Sequence, residues 1–420
     1  MKILRQKGTK DIYADDILIW QYIEKNIRQI AKEFNISEIR TPVFEATELY
    51  ARGVGDETDI VDKEMYTFLD KGDRSITLRP ELTAGVVRSY IENGMSSLTQ
   101  PLKYWYIGNM YRYEKMQKGR YREFSQFGLE IFGSDSYMAD IETILVSYEL
   151  MKRLKLSDKV ILSINSIGCN QCRAKYVQNL KEYLSDKIDK MCDSCKKRYD
   201  KNILRILDCK VEDDQKILEN APMITDYLCD DCKNNFENFK NMLSKLNIPY
   251  VVNKKIVRGL DYYNKTVYEY TSKDLGLAVG GGGRYDTLVE ALGGKNTPAV
   301  GFGIGMDRLV LLLKDSIDIA NLKPKVDIYF ASLGDDAKIV ANKIINELRD
   351  KKYDYIIESD ICNRSFKAQL KYANNISARY VCIIGQDEID KGICAIKNMD
   401  NGIQEDVKLD SDSIADYIGR

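Results

Sequence analysis

Between Asp15 and Phe34 the apolar residues fall at Trp20, Ile23, Ile27, Ile30, Ala31 and Phe34. Steps of three and four lay them along one stripe of a helix, and Asp15-Asp16 supplies acidic first-turn chemistry. The period then changes. EIRTPVFE, SITLRPE, PLKYWYIGNMYRYE and FSQFGLEIFG are β-type runs, rich in branched and aromatic residues and separated by turn chemistry. Pro42 interrupts the first of them. Lacking an N–H, it is unsuited to a central ladder, so this strand is expected at an edge or interface. Strands arriving in succession, not in strict alternation with helices, predict an antiparallel α+β body.

From about residue 166 to 247 the chain turns polar, rich in Lys, Asp and Asn, and mostly helical in period. It reads as an insertion. Strand-like chemistry returns in YVVNKKIV, TVYEYTS and LAVGGGGRYD and reaches VGFGIGMDRLVLLL. Past Lys323-Pro324-Lys325 come VDIYF, a helix near 335–350, YDYIIES, a helix near 364–375, YVCIIG and ICAIKN. That alternation describes a separate small α/β domain. The expected organisation is a body made of residues 1–165 and 248–322, an insertion at 166–247, and a terminal domain at 325–420. A chain of 420 residues has room for about three domains.

Composition sharpens the picture by exclusion. Sixty-three basic and 64 acidic side chains leave a net charge of −1, which rules out a polybasic coat but not a local basic patch. The chain contains no histidine. Ser-His-Asp and Cys-His nucleophile pairs are therefore impossible, as are His-ligated zinc and haem. Catalysis must rest on arginine, carboxylate, tyrosine, backbone or metal electrostatics. The N-terminal MKILRQKGTKDIY has no apolar signal core and no run approaches a membrane span, so a reducing, cytoplasmic setting is expected.

Seven of the ten cysteines lie between Cys169 and Cys232, where metal or plain packing is favoured over disulfides. Three C-x-x-C pairs occur, Cys169/Cys172, Cys192/Cys195 and Cys229/Cys232, with Cys209 alone. If residues 172–192 are mainly one helix, a rise of about 1.5 Å per residue separates the first two pairs by roughly 30 Å. The helix starting near Cys229 is expected to return to the body. That leaves Cys192, Cys195, Cys229 and Cys232 together at the far end, as a candidate structural zinc tetrad or as unliganded packing cysteines.

Three segments carry candidate chemistry. Arg112 lies in GNMYRYEKMQKGRYREFSQFGLE, between two aromatic strands, in a hairpin whose loop adds Lys115, Lys118, Arg120 and Arg122. Arginine's planar fork suits phosphate, although charge alone equally describes a solvated turn. Gly301, Gly303 and Gly305 alternate ahead of Asp307-Arg308. Such spacing bares one strand face to a flat ligand or to tight packing. Neither this run nor Gly280–Gly283 is followed by Lys-Ser/Thr, so a P-loop is not supported. The third, RGLDYYNKTVYEY, places Arg258 before Tyr262 and Tyr263, a pair that in isolation reads as core.

Together these segments resemble the histidyl-tRNA synthetase family, class II aminoacyl-tRNA synthetases, over essentially the whole chain. EIRTPVFE is similar to motif 1, the dimer-forming element; YRYEKMQKGRYREFSQ to motif 2; and GFGIGMDRL to motif 3. LRPELTAG, RYREFSQFGLEIFG and RGLDYY resemble the segments that mark the histidyl member. The resemblance implies a class II antiparallel sheet flanked by helices, with a C-terminal anticodon-binding domain. It implies ligation of L-histidine to its tRNA through a histidyl-adenylate, with Mg²⁺ accompanying ATP and a homodimer as the working unit. By that likeness Arg112 and Arg258 face the α-phosphate and the histidine carboxylate, and Arg308 the γ-phosphate, with Arg120 also on ATP. Glu81, Thr83 and Gln126 match positions holding the substrate's ammonium and carboxylate. Glu130 and Tyr263 match those pairing with the imidazole, with Tyr262 beside them. Gln117 and Lys118 are expected near the tRNA acceptor end, and the Arg364–Lys371 segment on the anticodon side. A regulatory paralogue would be expected to lose the arginines and the terminal domain; Arg112, Arg258, Arg308 and residues 325–420 are all present. A class II synthetase for another amino acid is the second rival.

Overall fold

The computed structural model describes residues 2–419 except 56, 57, 59 and 257, and the side chains of Lys201 and Asp208 are also outside the description. The chain divides into two compact units, Met1–Asp318 and Ile319–Arg420. In the first, the strands are β1 (Ser37–Glu38), β2 (Phe44–Ala46), β3 (Tyr66–Leu69), β4 (Ser75–Leu78), β5 (Leu102–Tyr111), β6 (Glu123–Phe132), β7 (Val160–Ser166), β8 (Val251–Val252), β9 (Asn264–Ser272), β10 (Ala278–Arg284) and β11 (Ala299–Gly305). Eight of them form one sheet in the order β1-β5-β6-β11-β10-β9-β7-β8, while β2-β4-β3 make a small second sheet. Only the outermost pairs of the large sheet, β1 with β5 and β7 with β8, are parallel. The expected antiparallel α+β body is present.

Local chemistry explains the interruptions. EIRTPVFE divides around Pro42 into β1, at the edge of the large sheet, and β2, in the small one. The carbonyls exposed by that break are taken up by buried Arg79, whose Nη1 donates to Thr41 O at 2.8 Å and Pro42 O at 3.2 Å, while its Nε donates to Asn109 O of β5 at 2.7 Å. The helix Asp15–Glu33 buries Ile19, Trp20, Ile23, Ile27, Ile30 and Ala31, the predicted stripe, and Phe34 forms its C-terminal cap. It packs on the helices Tyr137–Arg153 and Met306–Lys314, which lie against β11 and β6 respectively.

The insertion departs from expectation at its cysteines. The helix Asn170–Leu184 does carry the chain away from Cys169 and Cys172. The chain returns, however, before Cys229: the helix Asp230–Lys245 buries Phe236, Phe239 and Leu243 and packs along Tyr137–Arg153. Cys229 and Cys232 thus begin that helix beside Cys169 and Cys172, while Cys192 and Cys195 gather with Cys209 and Asp214. The tetrad Cys192, Cys195, Cys229 and Cys232 does not form. The apolar face of the last helix belongs to the body, so its start cannot lie at the far end.

The second unit holds β12 (Ile328–Ser332), β13 (Ile357–Ser359), β14 (Tyr380–Ile384), β15 (Ile393–Asn398) and β16 (Gln404–Lys408) in the order β13-β12-β14-β15-β16. β12 is parallel to both neighbours, joined by the helices Asp335–Asp350 and Phe366–Asn375; β15 and β16 add antiparallel strands. Among the described residues, no helix is long and apolar enough to cross a membrane.

One buried ion pair fastens the first unit together. Arg284, at the end of β10, is wholly buried, as is Asp140 on the helix Tyr137–Arg153. Arg284 Nε and Nη2 donate to Asp140 Oδ2 at 2.9 and 2.6 Å; Nη1 donates to Ser134 O at 2.8 Å, and Nη2 also donates to Ser136 O at 2.6 Å. Removing the cation strands a buried carboxylate, which costs about 3–5 kcal/mol. Both tryptophans, Trp20 and Trp105, lie in this unit, so denaturant unfolding followed by their fluorescence reports on it. Arg284→Met is expected to lower its unfolding free energy by that amount; a loss below about 1 kcal/mol, the scale of a surface pair, would contradict the assignment.

Candidate active site

Alternation along β11 builds the floor of the site. Its pattern AVGFGIG turns Val300, Phe302 and Ile304 into the core and leaves Gly301, Gly303 and Gly305 on the opposite face. In the antiparallel register Gly301 stands across from Glu130 and Gly303 across from Gly128. A methyl group at Gly301 would overlap the Glu130 carboxylate, and one at Gly128 would overlap the Tyr106 ring. The glycines therefore make the room in which a carboxylate and a phenol meet beneath the cavity.

Glu130 is 1% exposed. Thr83 Oγ1 donates to it at 2.8 Å, Tyr106 OH at 2.9 Å and Tyr285 OH at 2.5 Å. Burial outweighs these three donors, and with nearby Glu81 it pushes the carboxyl up to about 8. Burial also raises Tyr106, Tyr262 and Tyr285 well above the ordinary phenol range, and Tyr263 to about 12. All four stay neutral hydroxyls near neutral pH. Glu81 accepts from Thr83 N at 2.7 Å and from Ala84 N at 2.8 Å, so it caps the helix Thr83–Glu92 while facing the cavity. Burial raises its carboxyl as well.

A cavity of about 240 Å³ opens above this floor. Glu81, Thr83, Gln126, Tyr262 and Tyr263 line it, together with Arg112, Arg120, Arg258 and Arg308. Every candidate substrate and nucleotide residue of the sequence analysis is therefore in one place, with Glu130 just below the surface. Each arginine has an anchor. Arg112 Nε donates to Pro80 O at 2.8 Å, and its guanidinium lies 5.3 Å from the centre of the Phe124 ring. Arg120 pairs with Glu114 at 3.1 Å, and Arg258 with Glu269 at 2.6 Å. Arg308 donates to Ala278 O and, at 3.4 Å, to Gly119 O. Burial, then the charges of Arg120 and Arg112, depress the Arg308 pKa. That concentration of positive charge is poised for an anion. Gln117 and Lys118 are exposed at the tip of the β5–β6 hairpin, outside the cavity lining.

Several participants escape a reading of the sequence. Tyr106 and Tyr285 complete the Glu130 cluster; the signal for Tyr106 was a large residue placed opposite Gly128 by hairpin register. In the sequence Asp307 stands out only as Arg308's neighbour. It joins Lys10 at 2.6 Å to the Ser125 N–H at 3.1 Å, fastening the N-terminal segment to the cavity wall.

A largely antiparallel sheet, with arginines brought to one cavity from the segment after β5, the β5–β6 hairpin, the loop before β9 and the helix Met306–Lys314, together with a separate small α/β unit, is the organisation of a class II aminoacyl-tRNA synthetase. Comparison with known proteins makes the assignment specific. A family model described as histidyl-tRNA synthetase matches residues 8–309, and an anticodon binding domain model matches residues 323–418. The histidine–tRNA ligase of Acetivibrio thermocellus is 51% identical over 407 residues, covering 96% of this chain and 97% of that one. That of Clostridium novyi is 50% identical over the full length of both. The crystal structure of apo S. aureus histidyl-tRNA synthetase superposes with a TM-score of 0.83 at 34% identity, again over both whole chains. The chain belongs to the histidyl-tRNA synthetase family. Its reaction is the ATP-dependent attachment of histidine to tRNA.

The raised Glu130 pKa has a measurable consequence. Its carboxyl keeps a proton up to about pH 8 when folded but releases it near 4.5 when unfolded. Its stabilising contribution is therefore complete below pH 4.5 and is lost as pH rises through about 8. Relative to Glu130→Gln, the wild-type protein is expected to lose stability between pH 5.5 and 8.5, read from denaturant midpoints. Parallel pH profiles for the two proteins would contradict the burial argument.

Proposed function

We propose that the cavity holds histidine at its Glu130 end and ATP at its arginine end, and that the two react there to form histidyl-adenylate. The observation carrying this reading is the union, in one cavity, of a polar floor and four anchored guanidinium groups. Glu81, Thr83 and Gln126 hold the amino acid's ammonium and carboxylate. Glu81's carboxylate oxygens each accept one backbone N–H and keep lone pairs for an ammonium. Glu130 and Tyr263 pair with the imidazole nitrogens, and Tyr262 closes the side. An apolar analogue would forgo these hydrogen bonds, and recognition of a substrate's N–H groups in this way discriminates strongly.

Arg112 and Arg258 grip the α-phosphate and steer the histidine carboxylate, while Arg308 and Arg120 hold the outer phosphates. A carboxylate oxygen attacks the α-phosphorus, and the bond to pyrophosphate breaks. The nucleophile has no proton to lose, so a chain without imidazole is not handicapped in this step. Fixed guanidinium charges stabilise the developing negative charge without reorganising. In the second step a ribose hydroxyl of the tRNA attacks the carbonyl, a phosphate oxygen of the adenylate takes the proton, and AMP leaves.

Mg²⁺ is expected with ATP. Glu114, beside the cavity, and Glu269 supply carboxylate oxygens of the kind a hard cation takes, each also holding an arginine. When bound, the ion neutralises phosphate charge. Gln117 and Lys118 approach the acceptor end of the tRNA. In the terminal unit the Arg364–Lys371 segment, with Lys367 and Lys371 exposed, faces the anticodon side. Exposed Val43, Phe44, Phe68 and Leu69 on and beside the small sheet support a homodimer built through the Pro42 segment. The enzyme acts in the cytoplasm, where its tRNA is.

ATP–pyrophosphate exchange tests the reading. The wild-type protein is expected to exchange with histidine and with no other amino acid. Arg258→Ala is expected to lower kcat by about 10²–10³, the effect of removing one donor to a developing anion. Undiminished exchange in that variant, or exchange driven by another amino acid, would overturn the proposal.

A further inference from the structure

The two cysteine clusters of the insertion take no part in the chemistry described above. We propose that each is a structural zinc site: Cys169, Cys172, Cys229 and Cys232 at the root of the insertion, and Cys192, Cys195, Cys209 and Asp214 within it. In both groups the prospective ligand atoms all lie within 4.8 Å of one another. A tetrahedral ion with zinc–sulfur bonds of about 2.3 Å sets neighbouring sulfurs about 3.8 Å apart. The Cys169–Cys172 sulfurs are 3.5 Å apart and the Cys192–Cys209 sulfurs 3.8 Å. A disulfide needs about 2.05 Å, and all ten cysteines are free.

The local structure explains why the pairs present their thiols together. Each C-x-x-C puts its first cysteine at a helix N-cap and its second three residues on, ahead of Asn170–Leu184, Asp193–Lys201 and Asp230–Lys245. Free N–H groups at a helix start favour thiolate charge. One such group, Cys229 N, already donates to Cys172 Sγ at 3.1 Å. Helices carry the spacing, but it is the return of the chain that brings two helix starts to one point.

The second cluster supplies an independent indication. Asp214 is 1% exposed, and among the described residues it joins no ion pair. Its partners are the Cys192 N–H at 3.1 Å and the Cys209 thiol at 3.0 Å. A carboxylate buried without a cation is costly, and a divalent ion at this point removes the cost. Three or four thiolates select zinc over magnesium or calcium. Binding releases the thiol protons to solvent, and neither site has a protein group that would act as a catalyst.

The two ions would divide the work of holding the insertion. The first closes the loop between Cys172 and Cys229 where it leaves the body. The second pins the turn before Asp193–Lys201 to the segment around Cys209, which lines a cleft together with Arg258, Gly259 and Glu269. It thereby braces the insertion beside one of the cavity's arginines.

Metal analysis of the full-length protein, produced with zinc in the medium and purified without chelator, decides the matter. Two zinc ions per chain are expected. Cys229→Ser and Asp214→Ala should each retain one, and Cys362→Ser, altered at an exposed cysteine of the other unit, should retain two. A zinc-free wild-type protein, or one carrying iron instead, would overturn both sites. A wild-type count of one overturns whichever site's variant leaves that count unchanged. The wild-type stoichiometry stands even if a variant fails to fold.

Discussion

A carboxyl group buried beneath a substrate cavity is the constraint around which this catalytic unit is arranged. Glu130 has almost no access to water, and three hydroxyls from three separate elements converge on it. Such a group is tolerable only where the surrounding sheet leaves it space and supplies donors. Gly301 and Gly128 leave that space; Thr83, Tyr106 and Tyr285 are the donors. The helix Thr83–Glu92, the hairpin of β5 and β6, and the strands β10 and β11 are thereby held in one register, and the cavity takes its shape from them.

At the other end the problem is the reverse, an excess of like charge. Arg112, Arg120 and Arg308 sit close enough that their mutual repulsion contributes to the depressed pKa of Arg308. Glu114 and Glu269 hold the rim arginines, and backbone carbonyls of Pro80, Ala278 and Gly119 hold the remainder. Guanidinium groups fixed in this way need little movement when a polyanion arrives. This is how a protein with no histidine of its own can handle both histidine and a triphosphate. The site asks for placed charge and placed hydrogen bonds, with no side chain required to carry a proton back and forth.

What the sequence discloses and what it hides follow from range. The stripe of Asp15–Glu33, the basic hairpin around Arg112, the alternating glycines of β11 and the two crossover helices of the terminal unit are local patterns, and all are legible along the chain. YVVNKKIV is β-type in composition, yet among its described residues only Val251–Val252 pairs, because Asn253–Lys255 turns away; Val257 lies outside the described residues. The charged QEDVK becomes the edge strand β16, exposed along nearly its whole length, with no apolar alternation to announce it. The cysteines fail for a deeper reason. Which pairs meet depends on where some sixty residues of polar chain come back to the body, and the packing of Phe236, Phe239 and Leu243 decides that, not any spacing between thiols. In the site, Glu130 is found through family likeness, but its partners Tyr106 and Tyr285 emerge only once register is known.

The central claim is that Glu130 and its hydroxyl cluster read the imidazole by hydrogen bonding. Its most direct measurement is the ratio of kcat/KM in pyrophosphate exchange for histidine and for β-thienylalanine, which has nearly the same shape but no ring N–H. A site built to hydrogen-bond the ring nitrogens predicts a preference of about 10⁴ or more for histidine. A ratio within about tenfold, the discrimination that shape alone can give, would contradict it.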